Sequence, residues 1–178
     1  MTRILKHLKR RLWRDEHGTA TVEFVVVFPF FLGVLLSSFE LSMITMRETM
    51  LERALDVTVR EIRLETGAAP QHDDIKALVC DRAPVIPDCL NNLRLEMVQI
   101  DPSNWVAPEA TFDCTDSSQQ VQPVRNFVNG MDNDLMLLRA CAKFEPIFPG
   151  AGLGKKLSKD GAGMAALVAT SAFVQEPM

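Results

Sequence analysis

Histidine is scarce in this chain: His7 and His17 fall within the first 17 residues, and His72 is the only other one. A Ser/His/Asp or Cys/His constellation would therefore rest on His72 alone, so no catalytic residue is assigned and no enzymatic activity is expected. His72 reads as a solvated residue at a helix start. Cysteine is missing before Cys80, and the four present form no C-x-x-C pair. With a single histidine outside the head, a zinc site is not expected, and neither is any cofactor. The glycine-rich stretch from Pro149 to Lys156 fails as a phosphate loop. Pro149 stands where glycine is required, Lys156 where serine or threonine is, and Lys155 at the third glycine of a dinucleotide pattern. It reads as a hairpin connection. Nor does a basic or aromatic surface continue past the head, which argues against nucleic acid.

Charge is also absent where it would be expected. The chain carries a net charge of -4, yet Phe24 to Met46 contains one charged residue, Glu40. At about 1.5 Å per residue this stretch is long enough to cross the hydrocarbon core of a bilayer. Phe, Val and Leu surround it on all sides, as lipid requires. Pro29 removes a helical donor and predicts a kink, and Gly33 adds freedom one turn on. Glu40 is expected to be interfacial and wet. Upstream, Arg3, Lys6, Lys9, Arg10, Arg11 and Arg14 outnumber Asp15 and Glu16. Such a basic head holds its end of the chain in the cytoplasm and places the rest across the membrane. A cleaved secretory signal is the competitor, but the apolar block ends without a small-x-small site and runs on through Ser37 and Ser38.

No Gly or Pro interrupts residues 47–66, so the membrane helix continues as an amphipathic stalk. Met43, Met46, Met50, Ala54, Val57 and Glu61/Ile62 are its expected apolar face, and Arg47, Glu48, Glu52, Arg53, Asp56, Arg60 and Arg63 its polar one. The rod from Thr19 to Thr66 would measure about 70 Å. Gly67 and Pro70 predict its end.

The junction reads His17-Gly18-Thr19-Ala20-Thr21-Val22-Glu23-Phe24 and resembles the processing site of type IV prepilins. The match is positional: Gly18 before the cut, Glu23 fifth and Phe24 sixth in the mature chain, a basic leader upstream and an apolar helix downstream. More narrowly, GTATVEFVVVFPFFL is similar to the start of the TadE/TadF-like minor pseudopilins of the Tad (Flp, type IVc) pilus system. The end of the chain, Phe173-Val174-Gln175-Glu176-Pro177-Met178, is similar to the Phe-Arg-Asn-Glu-Pro-aromatic ending common in TadE-like proteins, with Val174, Gln175 and Met178 as departures. The resemblance implies processing between Gly18 and Thr19 and an assembly role for Glu23 and Phe24. It also implies prepilin peptidase, sister pilins and pseudopilins, and an inner-membrane assembly platform as partners.

Residues beyond the membrane fall in an oxidising compartment, where Cys80, Cys89, Cys114 and Cys141 are expected to form disulfides. Three connectivities are possible, and local pairing is preferred: Cys80 with Cys89, Cys114 with Cys141. Asp73 or Asp74 is expected to cap a short helix running through Cys80. Leu93, Leu95 and Met97 alternate with Arg94 and Glu96, which predicts a half-buried strand up to Asp101-Pro102. Pro102 to Asn133 reads as loop, and Leu135–Glu145 and Ala165–Gln175 as strands, with a helix the alternative for 165–172. The expected architecture is α+β and pilin-like, a long N-terminal helix on a small antiparallel sheet with disulfide-stapled loops. Its parts are a cleaved cytoplasmic leader (1–18), a transmembrane helix (19–46), a stalk (47–66) and a periplasmic domain (67–178). An unprocessed, signal-anchored binding protein is the alternative function.

Overall fold

A computed structural model describes residues 19–64, 70–109, 111–112, 114 and 127–177. The basic leader, Gly18, the expected stop at Gly67 and residues 110, 113 and 115–126 of the 102–133 loop lie outside the described residues.

Helix α1 spans Thr19–Leu64 and passes through Pro29 without a break in its assignment. Several of its hydroxyls bond back into the helix: Ser38 Oγ donates to the Val34 carbonyl at 2.8 Å and Thr58 Oγ1 to the Ala54 carbonyl at 2.8 Å. From Ala20 to Leu64 it is long and apolar enough to cross a membrane. The chain divides at Phe39/Glu40 into two units.

In the second unit, α1 is followed by α2 (His72–Arg82), a single turn α3 (Cys89–Asn92) and three strands, β1 (Leu93–Ile100), β2 (Leu135–Phe144) and β3 (Ala165–Val174). The strands form one antiparallel sheet in the order β1-β2-β3, with Leu93 opposite Ala142 and Leu135 opposite Val174. Alternation dictates which face is apolar. Leu93, Leu95 and Met97, then Met136, Leu138, Ala140, Ala142 and Phe144, then Ala165, Leu167, Ala169 and Phe173 form one core with Leu51, Leu55, Val59 and Ile62 of α1 and Ile75 and Val79 of α2. The long helix thus packs on a small antiparallel sheet in an α+β fold. Residues 165–174 are strand, which closes the helical alternative.

Several expectations are corrected. The buried face of α1 is Leu51, Ala54, Leu55, Thr58, Val59 and Ile62, while Met46 and Val57 are exposed. Hydropathy alone did not separate the two sides, because both carry apolar residues at helical spacing. Gln71, and neither aspartate, is the N-cap of α2. Asp74 instead sits at the third helical position and accepts from the Gln71 N–H at 3.1 Å, and the helix runs on to Arg82. His72 is buried: its Nε2 faces the Leu95 N–H at 3.4 Å and its ring meets Phe127 edge-on. Strand β1 is not half-exposed, since Arg94 and Glu96 are buried as well. Part of the sheet's outer face is met by Glu109, Thr111, Phe112 and Cys114. Arg139 pairs with Glu96 at 3.2 Å, donates to the Glu109 carbonyl at 3.0 Å and stacks 4.2 Å from the Phe112 ring centroid. Cys114 is bonded to Cys141 of β2, and Cys80 of α2 to Cys89 of α3.

Candidate functional site

Three places in the chain bear on function: the start of α1, the point where it enters the second unit, and the connection that receives it there. At the start, Thr19 is the first helical residue among those described, so Thr19 to Phe24 of the prepilin-like motif lie within α1. Glu23 lies about one turn in and is exposed, as are Val22, Val25, Val26 and Val27 around it. Among the described residues Glu23 has no hydrogen-bond or ion-pair partner. Phe24 is exposed too and stacks on Phe28 with ring centroids 4.8 Å apart, an i,i+4 aromatic pair on one helical face. From Val22 to Phe39 the large apolar side chains are open, with Phe30 at 75% exposure. An exposed apolar surface of this extent marks an interaction site, and its helix is long and apolar enough to cross a membrane.

Glu40 behaves in the opposite way. The expectation of a wet, interfacial carboxylate is wrong: Glu40 is 1% exposed. Its Oε1 accepts from the Phe148 N–H at 3.2 Å and its Oε2 from the Gly154 N–H at 2.8 Å. Both donors belong to the glycine-rich connection between β2 and β3. That stretch is a connection, as read from the sequence, and it is also a receptor for a carboxylate. The two N–H groups are six residues apart in sequence and converge on the two carboxylate oxygens, which satisfies a charge that burial would otherwise penalise. Gly154 is required for it, because a Cβ at that position would land on the Glu40 carboxylate and the Phe148 carbonyl. The sequence held a signal for this pairing: a lone carboxylate in an apolar helix needs a partner, and a glycine-rich stretch offers free backbone donors.

The same connection is fixed a second time at Asp160. Its Oδ1 accepts from the N–H groups of Ala162 and Met164 at 3.0 and 2.9 Å, and its Oδ2 from Lys143 Nζ of β2 at 3.0 Å. Burial pushes the Asp160 carboxyl up, but the bonds from Lys143, Met164 and Ala162 together with the Lys143 charge outweigh it and hold the group below the usual carboxylate range.

At the end of the chain the paired strands are closed by Asn133 N–H to the Gln175 carbonyl at 2.9 Å and Gln175 N–H to the Asp134 carbonyl at 3.0 Å. Glu176 then pairs with Arg63 of α1 at 2.8 Å. The C-terminal echo of the motif therefore lies where β3 leaves the sheet. Among the described residues no group of His, Cys, Asp or Glu could hold a metal ion.

Neither a curated protein nor a solved structure matches the chain. Residues 18–60, from Gly18 to the stalk of α1, match the model of the TadE-like protein family, and over that segment the chain is similar to TadE-like proteins.

Proposed function

We propose that this protein is a minor pseudopilin that takes part in assembly or initiation of a Tad/Flp-type pilus after a prepilin peptidase cuts between Gly18 and Thr19. The observation that carries the reading is the TadE-like match over residues 18–60, which begins at the glycine of the motif and includes the exposed apolar half of α1. In this reading the mature chain waits in the inner membrane, its N-terminus on the cytoplasmic side and its disulfide-bonded domain in the periplasm. Sister pilins pack against the apolar half-helix, and the assembly platform extracts it. Helix-to-helix contact drives that packing, because burial out of lipid supplies little.

Cleavage gives Glu23 a task. The new ammonium of Thr19 and the Glu23 carboxylate each cost energy in an apolar bundle when unpaired. A neighbouring subunit displaced along the fibre brings its own Glu23 to that ammonium, which neutralises both charges and fixes the axial stagger.

Mass spectrometry of the protein extracted from membranes of peptidase-competent cells is the test. The expected mature N-terminus is Thr19, and Gly18→Leu should leave the leader in place. An intact Met1 end in those cells would overturn processing and favour an unprocessed, signal-anchored protein.

A further inference from the structure

Helix α1 carries two apolar stripes, and the core uses only one of them. The buried stripe is Leu51, Leu55, Thr58 and Ile62, in alternating steps of four and three. A second stripe lies roughly a third of a turn away, at 100° per residue. It comprises Met43, Met46, Met50, Arg53, Val57, Arg60 and Leu64, in unbroken steps of three and four. Met46 is 44% exposed, Val57 40% and Leu64 71%, and Met43 and Met50 are half-buried. Among the described residues, neighbouring elements engage α1 on either side of it. Glu61 and Thr58 are held by Arg82 of α2, and Asp56 by Ser171 of β3. The same spacing continues back in sequence through Phe39, Leu36 and Leu32.

Such spacing over three heptads is that of a helix seam whose knobs enter the holes of a facing helix. Its composition selects the partner. Met43, Met50, Val57 and Leu64 occupy one of the two seam positions throughout. The other holds Met46 and then, at successive heptads, Arg53 and Arg60. Both arginines are exposed, and among the described residues neither makes an ion pair. Asp56, three residues after Arg53 and four before Arg60, is hydrogen-bonded by Ser171. Two copies of this chain anchored in one membrane run parallel, so an in-register pair would set Arg53 against Arg53 and Arg60 against Arg60. Like charges at such positions oppose pairing.

We infer that this seam receives a parallel helix of a different chain, one with the same apolar spacing and with Asp or Glu facing Arg53 and Arg60. The inference rests on the membrane-anchored reading and adds to it the face used and the chemistry of the partner.

A photo-reactive phenylalanine analogue placed at Val57 of the full chain, in its own cells, tests the seam. Irradiation is expected to give an adduct with a second, different chain, and the cross-linked peptide should carry 3-4 apolar spacing with carboxylates at the two matching positions. Arg53→Glu combined with Arg60→Glu should cut adduct yield roughly ten-fold, and reversing the partner's two carboxylates to Lys should restore it. Recovery of a homodimer, of a partner without those carboxylates, or of no adduct from a chain whose disulfides are intact would overturn the inference. A heteromeric adduct with an intact Met1 end would instead remove the processed-pilin reading and leave the seam standing.

Discussion

Glu23 and Glu40 lie on one helix, and they face opposite physical problems. Around Glu23 the large apolar side chains are open and the carboxylate is exposed. Glu40 is buried and met by two backbone N–H groups. A carboxylate near an apolar environment must find its complement either inside its own chain or outside it. For Glu40 the fold supplies it, so the residue is part of stability. For Glu23 none is supplied among the described residues; under the proposed processing, the Thr19 ammonium of a neighbouring subunit would supply it. The change falls at the division between the two units.

Removing the carboxylate from the cradle is expected to have the largest effect. Glu40→Ala leaves the Phe148 and Gly154 N–H groups unsatisfied and should cost roughly 4 kcal/mol, at about 1 to 3 per buried unmade bond. Gly154→Ala should cost a comparable amount through steric conflict, whereas Glu40→Gln, which keeps an acceptor, should cost less. Urea unfolding of the full chain in detergent measures all three. If Glu40→Ala unfolds at the wild-type midpoint, the contrast between the two glutamates fails.

Next come the disulfides. Cys114–Cys141 closes 27 residues and Cys80–Cys89 closes 9. Chain-entropy reasoning assigns them roughly 3.5 and 2.6 kcal/mol, so replacing the first pair by Ala should lower stability by about 1 kcal/mol more than replacing the second. The same urea series checks the order.

A smaller, pH-dependent effect belongs to Asp160. Its carboxyl titrates below the usual range in the folded protein, so its contribution is complete above the unfolded value of about 3.9 and is lost as pH falls through the folded value. Asp160→Asn should lower stability at pH 7 by roughly 1 to 2 kcal/mol and flatten the decline of stability below about pH 4. An unchanged acid profile would mean that the Lys143 bond contributes nothing.

Glu23 should show the smallest effect on stability. Glu23→Val is expected to leave the unfolding midpoint of the domain within about 0.5 kcal/mol of wild type. Co-purification with sister pilins should fall nonetheless, and by more for Val than for Gln. Normal co-purification and piliation in the Val variant would remove the assembly role.

Wherever one local pattern decides the outcome, the sequence was sufficient. The apolar run from Phe24 to Met46, with Glu40 its one charge, is as a helix long enough to span a membrane, whatever follows it. Alternation in Leu93 to Met97 and the run from Leu135 made strands, and the Gly18 to Phe24 motif pointed to the family that the 18–60 match bears out. Tertiary structure alone decided which apolar stripe of α1 is core. Leu51, Leu55 and Ile62 and the rival Met46, Met50 and Val57 have the same helical spacing, and only the position of the sheet and α2 tells them apart. It also decided the surroundings of Arg94, Glu96, His72 and Glu40. Each reads as solvated from its neighbours in sequence, and each is buried by a segment far along the chain. Local sequence sets the period of an element. Burial depends on contacts whose sequence separation reaches 114 residues at Glu40 and Gly154, and those exist only once the chain has folded.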